Sequence, residues 1–147
     1  MEQPTGIGWP EEFTPAVALD RAFDARYGLE VLSHDVPGEG VVHGRVAVRD
    51  ELKTEHGFVH GGVFAAAAEA LASQGTAVAV IPDGFAAMGL SNDTTVLADV
   101  TGGAIGFEAR VRSRGEDAWL WTVEATADDG TTVAFSRVTV AVRPFRR

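Results

Sequence analysis

The chain has 147 residues, 46% of them hydrophobic and 22% charged, with a formal net charge of −9. That length and apolar content fit one folded domain with its own core, and so acidic a chain lacks the basic footprint that nucleic-acid binding requires. There is no cysteine, which excludes a thiol nucleophile, a thiolate metal site and a disulfide framework.

Residues 1 to about 14 read as a loose arm, because Pro4, Gly6, Gly8 and Pro10 lie close together. The opening stretch MEQPTGIGWPEEF is acidic and lacks the basic region and apolar run of a secretion signal, so a cytoplasmic protein is expected. Pro15 to Tyr27 carries Val17, Ala18, Phe23 and Tyr27 at helical spacing, which predicts a short amphipathic helix ended by Gly28. Residues 1–28 are thus an arm and a short helix ahead of a main domain at 29–147. Leu29–Val36 and Val41–Val48 read as strands around the turn Pro37-Gly38-Glu39-Gly40. In the second, Val42, Gly44, Val46 and Val48 share a face opposite His43, Arg45, Ala47 and Arg49.

Asp50 to Val59 is polar and irregular, and HGGVFAAAAEALAS follows from His60 to Ser73. A helix is predicted over Gly62–Ile81. Its wheel sets Phe64, Ala67, Leu71 and Val78 on one stripe and Glu69, Ser73 and Thr76 on the opposite side, flanked by Gly62, Ala65 and Ala66. The run is nearly long enough to suggest a membrane span, but Glu69, Ser73, Gln74, Gly75 and Thr76 interrupt it. A face so small and so nearly uncharged is unlike a solvated one, and implies contact with another part of the protein or a second subunit. A lone carboxylate on that face needs a reason. The chemistry that suits it is attack on, or activation of water toward, a carbonyl held by backbone N–H groups at the helix start.

Four strand candidates complete the chain. Phe85–Leu97 is broken at Asn92-Asp93, Ile105–Ser113 alternates, and Trp119–Ala127 and Thr131–Val142 flank the turn Asp128-Asp129-Gly130. Strict alternation sends Arg110, Arg112 and Arg114 to one face of their strand. Six strands joined by tight turns and one long central helix predict an α+β fold, an antiparallel sheet wrapped around that helix.

Other chemistries find little support. His56 and His60 are four apart beside Glu55, but Gly57, Gly61 and Gly62 oppose the helix that a His pair would need to share a metal. No G-x-S-x-G elbow is present. Gly102-Gly103 with Gly106 is a turn plus a strand glycine, with no helix following to hold a phosphate. Asn92-Asp93-Thr94 matches a glycosylation acceptor only in pattern.

The segment GFVHGGVFAAAAEALAS, with GLSNDTT at Gly89–Thr95, AWLWTVEATADDG at Ala118–Gly130 and VTVAVRP at Val138–Pro144, resembles the hot-dog-fold thioesterases. The resemblance is strongest to the glutamate-type 4-hydroxybenzoyl-CoA thioesterases, and it runs from about Leu29 onward. It implies Glu69 as the catalytic carboxylate and the Gly61 N–H as the group polarising the thioester carbonyl. It further implies His60 as the brace of that turn, Ser73 as an orienting hydroxyl, and Thr54 where the family has glutamine or asparagine. Gly62, Asn92, Arg143 and Arg146 would contact substrate. No metal or other cofactor is implied, CoA being part of the substrate, and the partner is a second copy, as a homodimer or homotetramer with active sites at the interface. The chain departs from the family at Ala98 and Asp99, which replace an expected arginine and proline, and at Glu116 and Asp117, where small hydroxyl residues would meet phosphate.

Several alternatives follow from those departures. The carrier is CoA held by a rearranged basic set including Arg143, Arg146 and Arg147, or it is an acyl-carrier protein. A dehydratase of the same fold would pair a histidine with the carboxylate, and neither His56 nor His60 is evidently placed for that. A non-catalytic acyl-thioester-binding protein would explain Thr54, Ala98, Glu116 and Asp117 together.

Overall fold

The computed structural model describes residues 9–11 and 13–145. Most of the predicted arm and Arg146 and Arg147 therefore lie outside the described residues. The elements are a short helix α1 (Phe23–Arg26), strands β1 (Glu30–Asp35) and β2 (Val41–Ala47), a long helix α2 (Gly61–Val80), and strands β3 (Phe85–Val96), β4 (Ala104–Arg114), β5 (Ala118–Thr126) and β6 (Thr132–Pro144). The strands form one six-stranded sheet in the order β1-β2-β4-β5-β6-β3. Every pairing is antiparallel. The sheet wraps α2, whose Phe64, Ala67, Ala68, Leu71 and Ala72 are buried against Val42, Val46, Ile105, Trp121, Val138 and Val140. The α+β architecture expected from the sequence is the one found.

Alternation explains the inner sheet face. Trp119, Trp121, Val123 and Ala125 of β5 all point inward and are buried, as are Val42, Gly44 and Val46 of β2. Two positions of close approach require glycine. A β-carbon on Gly75 of α2 would lie 2.6 Å from the Trp121 ring, and one on Gly44 of β2 would lie 2.9 Å from Leu71. The helix can therefore settle deep into the sheet.

Helix α2, continued by a 3₁₀ turn to Asp83, is long and apolar enough to cross a membrane. It is the core helix of the fold, and 61% of its apolar window is buried inside the protein.

The structure departs from the sequence expectations at four places, each with a physical reason. The predicted helix over Pro15–Tyr27 is two short pieces, a 3₁₀ turn at Leu19–Arg21 and α1, because Ala22 between them is extended (φ −73°, ψ 166°). Its supposed apolar face also divides, since Val17 and Phe23 are exposed and only Tyr27 enters the core. Strand β3 is not broken at Asn92-Asp93, whose residues pair with Val138 and Arg137 of β6; the irregularity lies between Gly89 and Ser91. Arg110, Arg112 and Arg114 do not share a face, because the register of β4 slips between Val111 and Ser113. Beyond that bulge Arg114 lies over the Trp119 ring at 4.9 Å. Finally, Thr76 does not stand with Glu69 on an outer face. It is fully buried, accepts the Trp121 indole N–H at 2.9 Å and donates to the Ala72 carbonyl at 2.9 Å. Trp121 of β5 covers the second half of α2 on the side where the first half leaves Glu69 exposed.

Candidate active site

The start of α2 is built by its own sequence. His60 is the N-cap, and its Nδ1 accepts the Gly62 N–H at 2.8 Å. A histidine here does the work usually given to Ser, Thr, Asn or Asp. The backbone before it is tied down by two further bonds, His60 N–H to the Leu52 carbonyl and Val59 N–H to the Val100 carbonyl. With Gly62 engaged by His60, the Gly61 N–H has no protein acceptor among the described residues. It stands at the positive end of a twenty-residue helix, where an anion or a polarised carbonyl oxygen is stabilised.

Glu69 lies two turns along the helix and is exposed. Among the described residues no cation pairs with it. Its carboxylate rests on β3 at Gly89, where an added β-carbon would sit 2.8 Å from Glu69 Cδ and 3.0 Å from Oε1. Strand glycines often mark such an approach. The slip just after Gly89 has a second effect. Strict alternation from Gly89 would turn Asn92 outward; the extra residue turns it toward the helix instead. Its side-chain amide then donates to the Ala65 carbonyl at 2.9 Å, while its oxygen accepts from Thr94 at 2.7 Å. Asn92 clamps β3 to α2 one turn before Glu69.

The remaining sequence candidates divide. Ser73 is half-buried one turn beyond Glu69. Thr54 belongs to a tight turn, where its hydroxyl accepts the His56 N–H at 3.2 Å and its N–H donates to the Phe58 carbonyl at 2.8 Å. Arg143 is exposed on the sheet face away from α2 and donates to the Asp117 carbonyl at 2.6 Å. Within one chain it does not meet Glu69. Arg146 lies outside the described residues. His56 contacts Glu55 at 3.4 Å and does not join His60. No group of three metal-ligating side chains occurs among the described residues.

A cavity of about 450 Å³ opens beside the start of α2, bordered by Phe23, Tyr27, Leu52, His60, Val63 and Ala66. Sequence reading missed its far wall. Tyr27 is the chain's one tyrosine; it is buried, and its hydroxyl donates to Asp24 Oδ1 at 2.6 Å. Burial raises the Tyr27 pKa, and the charges of Asp24 and, further off, Glu69 add to that rise. Asp24 is also raised by burial, partly offset by hydrogen bonds from Tyr27 and Gln74. A lone aromatic before a glycine was the only available signal, and it could not name a partner.

No family model matches the chain. Among curated proteins it is 29% identical over 120 residues to the 1,4-dihydroxy-2-naphthoyl-CoA hydrolase of Listeria monocytogenes, covering 82% of this chain and 94% of the relative. Among solved structures, a variant of a thioesterase from Pseudomonas aeruginosa superposes with a TM-score of 0.80 at 22% identity, over 86% of this chain and 88% of the other. AziG of S. sahachiroi superposes with a TM-score of 0.77 at 27% identity, over 84% and 98%. With its single helix wrapped by a six-stranded antiparallel sheet, the chain has the hot-dog fold, in common with these structures.

Proposed function

We propose that the protein is an acyl-CoA thioesterase in which Glu69 supplies the catalytic carboxylate and the Gly61 N–H polarises the thioester carbonyl. The observation that carries this reading is the pairing of an exposed, uncompensated carboxylate against Gly89 with a free N–H at the head of the same helix. The N–H stabilises the oxyanion of a tetrahedral intermediate; donors of this sort contribute about 10²–10³ in rate. Glu69 either attacks the carbonyl carbon, expelling the carrier's thiolate and leaving an anhydride that water then hydrolyses, or takes a proton from a water that attacks the carbonyl as the C–S bond breaks and the thiolate leaves. Similarity to a naphthoyl-CoA hydrolase supports an aryl acyl group, as do the aromatic walls Phe23 and Tyr27 of the cavity at the helix start. The likeness to 4-hydroxybenzoyl-CoA thioesterases and the choice of CoA over an acyl-carrier protein belong to the same proposal.

Geometry then asks for a second copy. Gly61 and Glu69 are eight residues apart on one helix, a separation of about 12 Å, so one carbonyl cannot meet both. Strand β3 is an edge strand twelve residues long, and Met88, Leu90, Val96 and nearby Leu97 are exposed. A long apolar edge is a template for pairing. On this proposal a second copy pairs there and supplies its own Glu69 to the first copy's Gly61, giving a homodimer with two shared sites, or a homotetramer of such pairs.

Thiol release measured over aryl-, branched- and straight-chain acyl-CoAs tests the reading. Hydrolysis is expected with an aryl or medium-chain substrate, and no release from any member of the panel would overturn it. Gly89→Ala is the finer probe. Its methyl displaces the Glu69 carboxylate, and a shift of about 1 Å costs on the order of 10²-fold. The loss should fall on kcat, and an unchanged rate would show that the carboxylate works from elsewhere.

A further inference from the structure

Two cavities lie along one side of α2. The first, about 450 Å³, touches Gly62 and Ala66; the second, about 320 Å³, touches Gln74 and is lined also by Trp9, Leu19, Asp24 and Leu29. Gly62, Ala66, Ala70 and Gln74 are spaced by four and form a single ridge of the helix. Along that ridge the two cavities are separated at the level of Ala70, which is buried and borders neither.

Tyr27 and its hydrogen-bond partner Asp24 connect the two linings. The Tyr27 ring borders the first cavity, while its hydroxyl donates to Asp24, whose carboxylate borders the second and accepts from Gln74 at 3.5 Å. The rest of α1 follows the same division. Phe23 and Arg26 face the first cavity, and Ala22, Asp24 and Ala25 face the second. The ring is 5% exposed and belongs to the main core cluster, so it is a fixed wall and not a mobile gate.

We infer that Tyr27 sets the length of the acyl group this site accepts, its core-packed ring standing as a septum between the first cavity and the second behind it. This inference rests on the acyl-thioesterase reading and assigns the first cavity to the acyl group. Compact aryl or short acyl groups fit in front of the ring. Longer straight chains meet its face, and the second cavity is closed to them.

Calorimetry with non-hydrolysable acyl-CoA thioethers of increasing chain length tests this independently of turnover. Tyr27→Leu removes the ring while leaving an apolar side chain, and should improve binding of long-chain thioethers by about tenfold or more, the gain from burying two further methylenes. Tyr27→Phe keeps the ring and should keep the wild-type chain-length profile. Adding Gln74→Trp to Tyr27→Leu fills the second cavity and should abolish the gain. If Tyr27→Leu, folded by circular dichroism, binds long chains no better than wild type does, the septum is wrong. If wild type binds no acyl thioether at all, both the thioesterase reading and the septum fall. Wild-type binding of compact thioethers with an unaltered profile in the variants overturns the septum alone.

Discussion

Glu69→Gln is expected to lower kcat for thioester hydrolysis by about 10²–10⁴, the usual range for loss of a positioned carboxylate, with KM little changed. Glutamine keeps the volume that rests on Gly89, so the strand and helix stay where they are. What is lost is the charge, and with it both possible roles, nucleophile and base. Stability should barely move, because the side chain is exposed and has no cationic partner among the described residues. An effect confined to kcat identifies an interaction made in the transition state. Steady-state kinetics on the best substrate of the panel, beside a thermal melt, measures both. Activity within tenfold of wild type would remove Glu69 from the mechanism.

Trp121→Ala should be the most damaging change to the fold. The indole is fully buried, packs against Gly75 at the closest approach of sheet and helix, and donates to Thr76 at 2.9 Å. Removing a ring of this size from a core costs about 3–5 kcal/mol, and for a chain of this length each kcal/mol lowers Tm by about 2–4 °C. A fall of roughly 10 °C is expected. Trp121→Phe fills most of the space and loses mainly the hydrogen bond, worth about 1 kcal/mol. Melting curves of the two variants separate packing from hydrogen bonding. A Tm for Trp121→Ala within about 3 °C of wild type would contradict this account of the core.

The parts of the fold legible in the sequence are those set by short-range periodicity. Alternation placed the strands predicted at Val41–Val48 and Trp119–Ala127 to within a residue, and grouped Val42, Gly44 and Val46 on the face that the structure buries. The helix over Gly62–Ile81 was off by one residue at each end. The His60-Gly61-Gly62 start and the isolation of Glu69 were likewise visible, since both are local. What stayed hidden depends on register across strands. The slips after Gly89 and after Val111 leave no mark in a single strand's alternation, yet they decide that Asn92 faces the helix and that Arg114 lies over Trp119. Thr76 was misplaced for a related reason: a helical wheel has no knowledge of which strand covers each turn of the helix. Tyr27, Asp24 and Gln74 meet over separations of up to fifty residues, with no local pattern to link them.

Gly89 carries a consequence for how this strand can change over time. Glycine in a strand interior gives up backbone entropy and side-chain packing, on the order of 0.5–1 kcal/mol relative to alanine. Random substitution at this position would tend to stabilise β3 and at the same time evict the carboxylate. On the proposed mechanism, stability and activity pull in opposite directions at a single residue. A lineage selected only to stay folded would fill the gap first, and would lose its chemistry before losing its shape.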